Sequence, residues 1–213
     1  MAKSVLLALA LLAASADAAD LPGRALFDAA GCRSCHKIAG SGGTSGPDLT
    51  LVGFRRSRAW LEVWLKDPKA WKRDTMMPDF RLKAKTREAI VDYLVSLDAT
   101  QGTPWARPQS DGRLIFQKAG CAACHGPAGA GGHPNNNVPG GFIPALPALA
   151  ATYTLDELKA KILAGSTPQR ADPAGPQPLV AMPSWAGVLD DSELDAVAVY
   201  VKGLGASAPK TDW

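Results

Sequence analysis

The sequence predicts an all-α chain: two helical units in tandem, wrapped by long loops. Three observations carry this. First, the chain repeats itself. Gly23, Arg24, Phe27, Gly31 and Gly40 recur as Gly112, Arg113, Phe116, Gly120 and Gly129, each pair 89 positions apart. Second, Ala89, Tyr93 and Leu97 recur as Ala196, Tyr200 and Leu204, now 107 positions apart. Duplication of a unit produces such a pattern, and the change of offset places about 18 extra residues inside the second copy. Third, apolar residues fall at helical spacing, and strand-like alternation is absent.

The elements follow in order. A short helix over Pro22 to Ala30 leads into the first cysteine run, and Asp111 to Ala119 does so in the second copy. Ser57 is placed to cap a helix through Trp60, Leu61, Trp64 and Leu65, and Thr154 one through Leu155, Leu158 and Ile162. The last helix of unit one shows Ile90, Tyr93, Leu94 and Leu97 on one face. In unit two, Asp190 and Glu193 have capping-box spacing ahead of Val197, Tyr200, Val201 and Leu204. The pairs Phe27/Tyr93 and Phe116/Tyr200 are expected to pack first helix on last. Gly126 to Pro147 and Gly165 to Pro183 read as Gly/Pro-rich loops. The extra residues of unit two fall at Gly131 to Ala148.

The ends bound the organisation. Lys3, the apolar run Val5 to Ala14 and the small-x-small Ala16-Asp17-Ala18 have the form of a secretory signal. The run is short for a bilayer span. The expected organisation is a signal peptide at 1–18, a first domain at 19–100, a linker at 101–105, a second domain at 106–205 and a flexible tail at 206–213. No later apolar stretch is long enough for a transmembrane helix. Charge is uneven: residues 19–100 carry 14 Lys or Arg against 10 Asp or Glu, and residues 101–213 carry 8 against 9. Nothing in the sequence points to nucleic acid. The basic side chains of unit one are read as a docking face for an acidic partner: Arg55, Arg56, Arg58, Lys66, Lys69, Lys72, Arg73, Arg81, Lys83, Lys85 and Arg87.

The chemistry sits in two five-residue runs, Cys32-Arg33-Ser34-Cys35-His36 and Cys121-Ala122-Ala123-Cys124-His125. Cys-x-x-Cys-His is the spacing that attaches a c-type haem. Thiols three positions apart share one face of a helical turn and can add to the two vinyl groups of one haem. The following imidazole then meets the iron from the same side. A zinc site needs further Cys or His at ribbon or finger spacing, and a thioredoxin-like pair needs a βαβ context. Neither is present. These runs use all 4 cysteines, so none is left for a disulfide. Two haem c groups with their iron are therefore expected, on Cys32, Cys35 and His36 and on Cys121, Cys124 and His125. Gly46-Pro47-Asp48-Leu49 can supply a carbonyl to orient His36; Pro144 or Pro147 can do so for His125.

Each iron then needs a sixth ligand. One histidine remains, His133, so both sites cannot be bis-His. Met77-Pro78-Asp79-Phe80 and Met182-Pro183-Ser184-Trp185 share a Met-Pro-x-aromatic pattern, each between its cysteine run and its last helix. Thioether sulfur favours reduced iron. Met77 and Met182 are the chosen ligands, with Met76 the competitor for Met77. His133 is read as a loop residue, its functional alternative being a switching ligand. A large apolar plate in each unit also explains how such long loops hold together, and without it the units should fold poorly.

At this point the sequence resembles a tandem (dihaem) class I cytochrome c of the bacterial kind. The resemblance rests on Gly-x-x-x-Phe before Cys-x-x-Cys-His, Gly-Pro-Asp-Leu after it, the Met-Pro loop and the Tyr-bearing last helix. It implies two cytochrome c-like helical domains, low-spin haem and electron transfer between a redox protein donor and acceptor, while the signal segment points to the periplasm. The expected role is a carrier with no catalytic residues. The alternatives are a haem-bearing subunit of a membrane respiratory oxidase or dehydrogenase complex, and a dihaem redox enzyme acting as a peroxidase or on sulfur compounds. The last requires Met77 or Met182 to leave its iron open.

Overall fold

A computed structural model describes residues 22–98 and 111–206. The expected signal segment, the linker 101–105 and the tail from 207 onward lie outside the described residues. In unit one, α1 (Pro22–Ala29) opens on a proline, which costs nothing at a position whose N–H has no helical partner. A 3-10 turn over Cys32–Ser34 and a two-residue antiparallel ladder, β1 (Lys37–Ile38) with β2 (Ser41–Gly42), follow. Next come α2 (Val52–Arg55), α3 (Arg58–Lys66), α4 (Pro68–Trp71) and α5 (Ala84–Ser96). Ser57 caps α3 by accepting from the Trp60 amide, as its position predicts. Asp67 ends α3 and caps α4 through the Ala70 amide.

Unit two repeats the plan. Asp111 caps α6 (Gly112–Lys118) by accepting from the amides of Arg113 and Leu114. α7 (Ala122–His125), α8 (Leu146–Thr152), α9 (Leu155–Ala164) and α10 (Asp191–Ala206) follow. Thr154 and Glu157 form a full capping box on α9. The expected box on α10 is present: the Glu193 amide donates to Asp190 Oδ1 at 2.9 Å and the Asp190 amide to Glu193 Oε2 at 3.1 Å. That reciprocal pair explains how Glu193 sits 1% exposed at a helix start.

The packing is duplicated too. α1 lies on α5, and α6 on α10. Phe27 meets Tyr93 edge-on with centroids 5.7 Å apart, and Phe116 meets Tyr200 at 5.4 Å. Each crossing is close because a glycine occupies it. A β-carbon at Gly23 would stand 1.9 Å from the Ala89 carbonyl oxygen, and one at Gly112 2.0 Å from that of Ala196. Around these crossings lie two cores, one with Phe27, Leu61, Ile90 and Leu94, the other with Ile115, Phe116, Trp185 and Val197.

The expected loops are more structured than their composition predicts. The Gly126–Pro147 stretch runs into α8, and an antiparallel bridge joins Pro134 to Phe142 within it. The short helices α2 and α4 were likewise not expected, since four residues leave no periodic pattern. Leu97 falls at the C-cap of α5 rather than inside it.

α2 joins the units. Its Phe54 packs in the second core, with its ring 4.9 Å from Trp185. Arg55 donates to the carbonyls of Ala119 at 3.0 Å and Asp48 at 2.7 Å. Arg56 donates to Ala123 O at 2.9 Å and to Cys124 Sγ, and stacks 4.5 Å over the Trp60 ring.

Candidate haem-binding sites

In unit one the chain reverses at Gly31, whose φ of 75° suits glycine. The turn that follows is closed by the His36 amide donating to Cys32 O at 3.0 Å. The segment 43–50 then folds back over it: the Gly43 amide donates to Arg33 O and the Gly46 amide to Cys35 O, each at 2.9 Å. His36 Nδ1 lies 2.9 Å from the Pro47 carbonyl. A carbonyl only accepts, so Nδ1 carries the proton and Nε2 is left as the ligating nitrogen. Gly46 makes this approach possible, because a β-carbon there would lie 2.6 Å from the imidazole.

A cleft of about 220 Å³ lies beside this turn. Cys32, Cys35, His36 and Met77 do not line it, but two of its lining residues hold His36 and Met77. Pro47 orients His36, and Trp64 Nε1 donates to Met77 Sδ at 2.9 Å. Met76 is 84% exposed, whereas Met77 packs against the first core. The remaining wall is cationic and aromatic, with Arg55, Arg56, Trp60 and Lys72. His133 and Pro134 also line it, so the insertion of unit two reaches the cleft of unit one.

In unit two the structure brings all four predicted residues together. Cys121, Cys124, His125 and Met182 line one cavity of about 510 Å³, otherwise walled mainly by apolar side chains such as Phe116, Val138, Ile143 and Leu146. Met182 is held by a two-way backbone bridge to Ser166, with both bonds 2.9 Å long. The expected carbonyl from Pro144 or Pro147 does not reach the imidazole. Among the described residues, His125 Nδ1 is buried without a hydrogen-bond partner. Burial, with Arg56 and His133 nearby, pushes His125 down to about 4, so the imidazole is neutral and free to ligate. Burial pushes the Cys121 thiol up to about 12.

These features fit haem c. The cavity has the volume of a cofactor site. Its donors are two thiols, a neutral imidazole and a thioether, and its lining suits a flat apolar group. Sequence reasoning missed six contributors. Trp64 reads as one more apolar helix position. Arg55 and Arg56 read as surface, yet they are 6% and 9% exposed and cannot belong to the docking face. Their adjacency just after apolar Val52 and Phe54 was the available signal. Arg58, Lys72 and Arg87 pair with Asp92, Asp74 and Glu62, which weakens that face further. The run Asn135-Asn136-Asn137 lies inside the Gly126–Pro147 stretch whose composition reads as loop.

The sequence matches the cytochrome c family over residues 21–98 and again over 109–205, and the chain belongs to that family. Cytochrome c domains indicate covalently bound haem c with its iron and haem-based electron transfer. A curated relative, cytochrome c oxidase subunit 2 of Alkalihalophilus pseudofirmus, is 33% identical over 84 residues, covering 35% of this chain. The chain spans only 25% of that relative's length. A chain of the Kuenenia stuttgartiensis reducing HAO-like protein complex superposes with a TM-score of 0.30 at 16% identity, covering 85% of this chain and 94% of that one. That score is too low to define a shared arrangement. Among the described residues no helix is long and apolar enough to cross a membrane.

Proposed function

We propose that this protein is a dihaem electron carrier, with one haem c in each unit. The observation that supports it best is that each of the two family matches contains a complete Cys-x-x-Cys-His run and a downstream Met-Pro. Haem c, when bound, supplies one-electron redox chemistry at its iron. Cys32 and Cys35 would hold the first group and Cys121 and Cys124 the second. His36 and Met77 would ligate the first iron, and His125 and Met182 the second. With those side chains as ligands neither iron would leave a site for substrate, so the role is a relay and not catalysis. The unequal insertion makes the two sites inequivalent, which a one-way relay uses. Residues 1–18 would direct the chain to the periplasm, and N-terminal sequencing of the exported protein should begin near Ala19.

A second reading is favoured by one observation, the similarity to an oxidase subunit 2. There the same chemistry would serve a permanent partner, and co-purification separates the two. The test of the main reading is the mass and optical spectrum of the purified protein. Two haem additions are expected, with the weak far-red band of Met-ligated ferric haem at two-haem intensity. One addition, or a high-spin signal from one site, would overturn it. Docking is expected to be transient and charge-steered, so electron-transfer rates should fall with salt.

A further inference from the structure

We propose that Asn135, Asn136 and Asn137 are positioning residues for Met182: they fasten the loop that carries it to the insertion peculiar to unit two. The proposal rests on Met182 being an axial ligand. Residues 171–181, which lead into Met182, form no helix or strand. Their backbone bonds mainly to three consecutive asparagine side chains, with further bonds from Ser57 to Leu179 O, from Arg170 to Gly175 O and from the Ala174 amide to Asp172 Oδ1. Asn135 Nδ2 donates to Val180 O at 2.9 Å, and the Val180 amide donates to Asn135 Oδ1 at 3.1 Å. Asn136 Nδ2 donates to Gln177 O at 2.9 Å, and the Leu179 amide to Asn136 Oδ1 at 2.6 Å. Asn137 Nδ2 donates to Asp172 O at 2.9 Å and Pro176 O at 2.7 Å, while its Oδ1 accepts from the Asp172 amide at 2.8 Å.

Asparagine suits this task because its amide is donor and acceptor at once, and so can pair with a backbone as a strand does. Alanine offers neither function, and aspartate only the acceptor. Asn137 also adopts φ 49°, which asparagine tolerates better than most side chains. Asn135 matters most. It is 6% exposed, so water cannot replace its bonds. Only Ala181 separates Val180 from Met182, which leaves the clamp little slack. Asn135, Val180 and Met182 all line the same cavity. Unit one has no insertion, and Met77 is held there by the Trp64 indole. The two sites therefore hold their methionines by different means.

The test is an imidazole titration of the ferric holoprotein, followed at the far-red band. Imidazole binds only where methionine has let go, so its apparent affinity reports how often each loop opens. Asn135→Ala is expected to raise imidazole affinity roughly tenfold at one of the two sites, equivalent to about 1.4 kcal/mol, and to leave the other unchanged. Asn136→Ala should act in the same direction, and it serves if Asn135→Ala does not assemble. Two references accompany them. Met182→Ala should open the same site fully. Ile115→Ala, a core truncation outside the cavity, should lower the melting temperature without changing imidazole affinity. Wild-type affinity at both sites in the asparagine variants, with one site open in Met182→Ala, would overturn the clamp. So would an Ile115→Ala effect as large as theirs. If Met182→Ala opens nothing, it is the assignment of the ligand that fails.

Discussion

Gly112→Ala gives the sharpest test of how the units pack. The new β-carbon would stand 2.0 Å from the Ala196 carbonyl oxygen, 2.6 Å from its carbon and 2.8 Å from Tyr200 Cβ. All three belong to the backbone or to the root of a side chain, so none can rotate away. Non-bonded heavy atoms settle at roughly 3.5 Å, so α6 and α10 must part by about 1.5 Å. Overpacking of this kind costs about 1–3 kcal/mol. Loosening the Phe116/Tyr200 pair adds about 0.5–1.5 kcal/mol. Alanine's helix preference returns at most about 1 kcal/mol. The net expectation is a loss of about 2 kcal/mol, or roughly 10 °C in the melting of unit two. Thermal unfolding of the holoprotein by circular dichroism, with the two haem environments followed separately, measures it. Gly23→Ala should do the same to unit one, since its β-carbon would meet Ala89 O at 1.9 Å. An unchanged or raised melting temperature in both variants would refute the crossing.

Four further outcomes are expected. Met77→Ala should abolish half the far-red band and Met76→Ala none of it, because only Met77 packs against the core; an optical spectrum decides. Trp64→Phe removes the indole donor on Met77 Sδ and returns electron density to the sulfur, so one of the two midpoint potentials should fall in a spectroelectrochemical titration while the other stays. Arg55→Ala removes a buried cation that bonds to both units; a stability loss of about 2–4 kcal/mol is expected, with the two unfolding transitions drawn apart in calorimetry. Replacing Cys32, Cys35, Cys121 and Cys124 with alanine should leave a chain with little helix by circular dichroism, and native helicity would refute the haem as core.

The helices that mattered most were legible because their signals are local. A cap residue and a 3.6-residue apolar period are written within a dozen positions, and Ser57, Thr154 and the Asp190/Glu193 pair each capped where expected. The short helices and the bonded loops were not legible. Four residues carry no period, and the pairing of Asn135 with Val180 spans 45 positions with no pattern to announce it. The misreading of Arg55 and Arg56 has the same origin. Charge predicts exposure only on average, and their burial depends on acceptors 64 to 68 residues away.

The sequence alone determined the class of chemistry and its duplication. Haem attachment is a matter of spacing within five residues, and a repeat offset of 89 is visible without any fold. Tertiary structure decided what makes the two sites differ. It gave His36 the carbonyl the sequence offered and, among the described residues, left His125 Nδ1 without one. It set an indole against Met77, an asparagine clamp behind Met182, and a helix of unit one into the core of unit two. The clamp and the docking of Phe54 join residues far apart in the chain, and such contacts exist only once the backbone has folded.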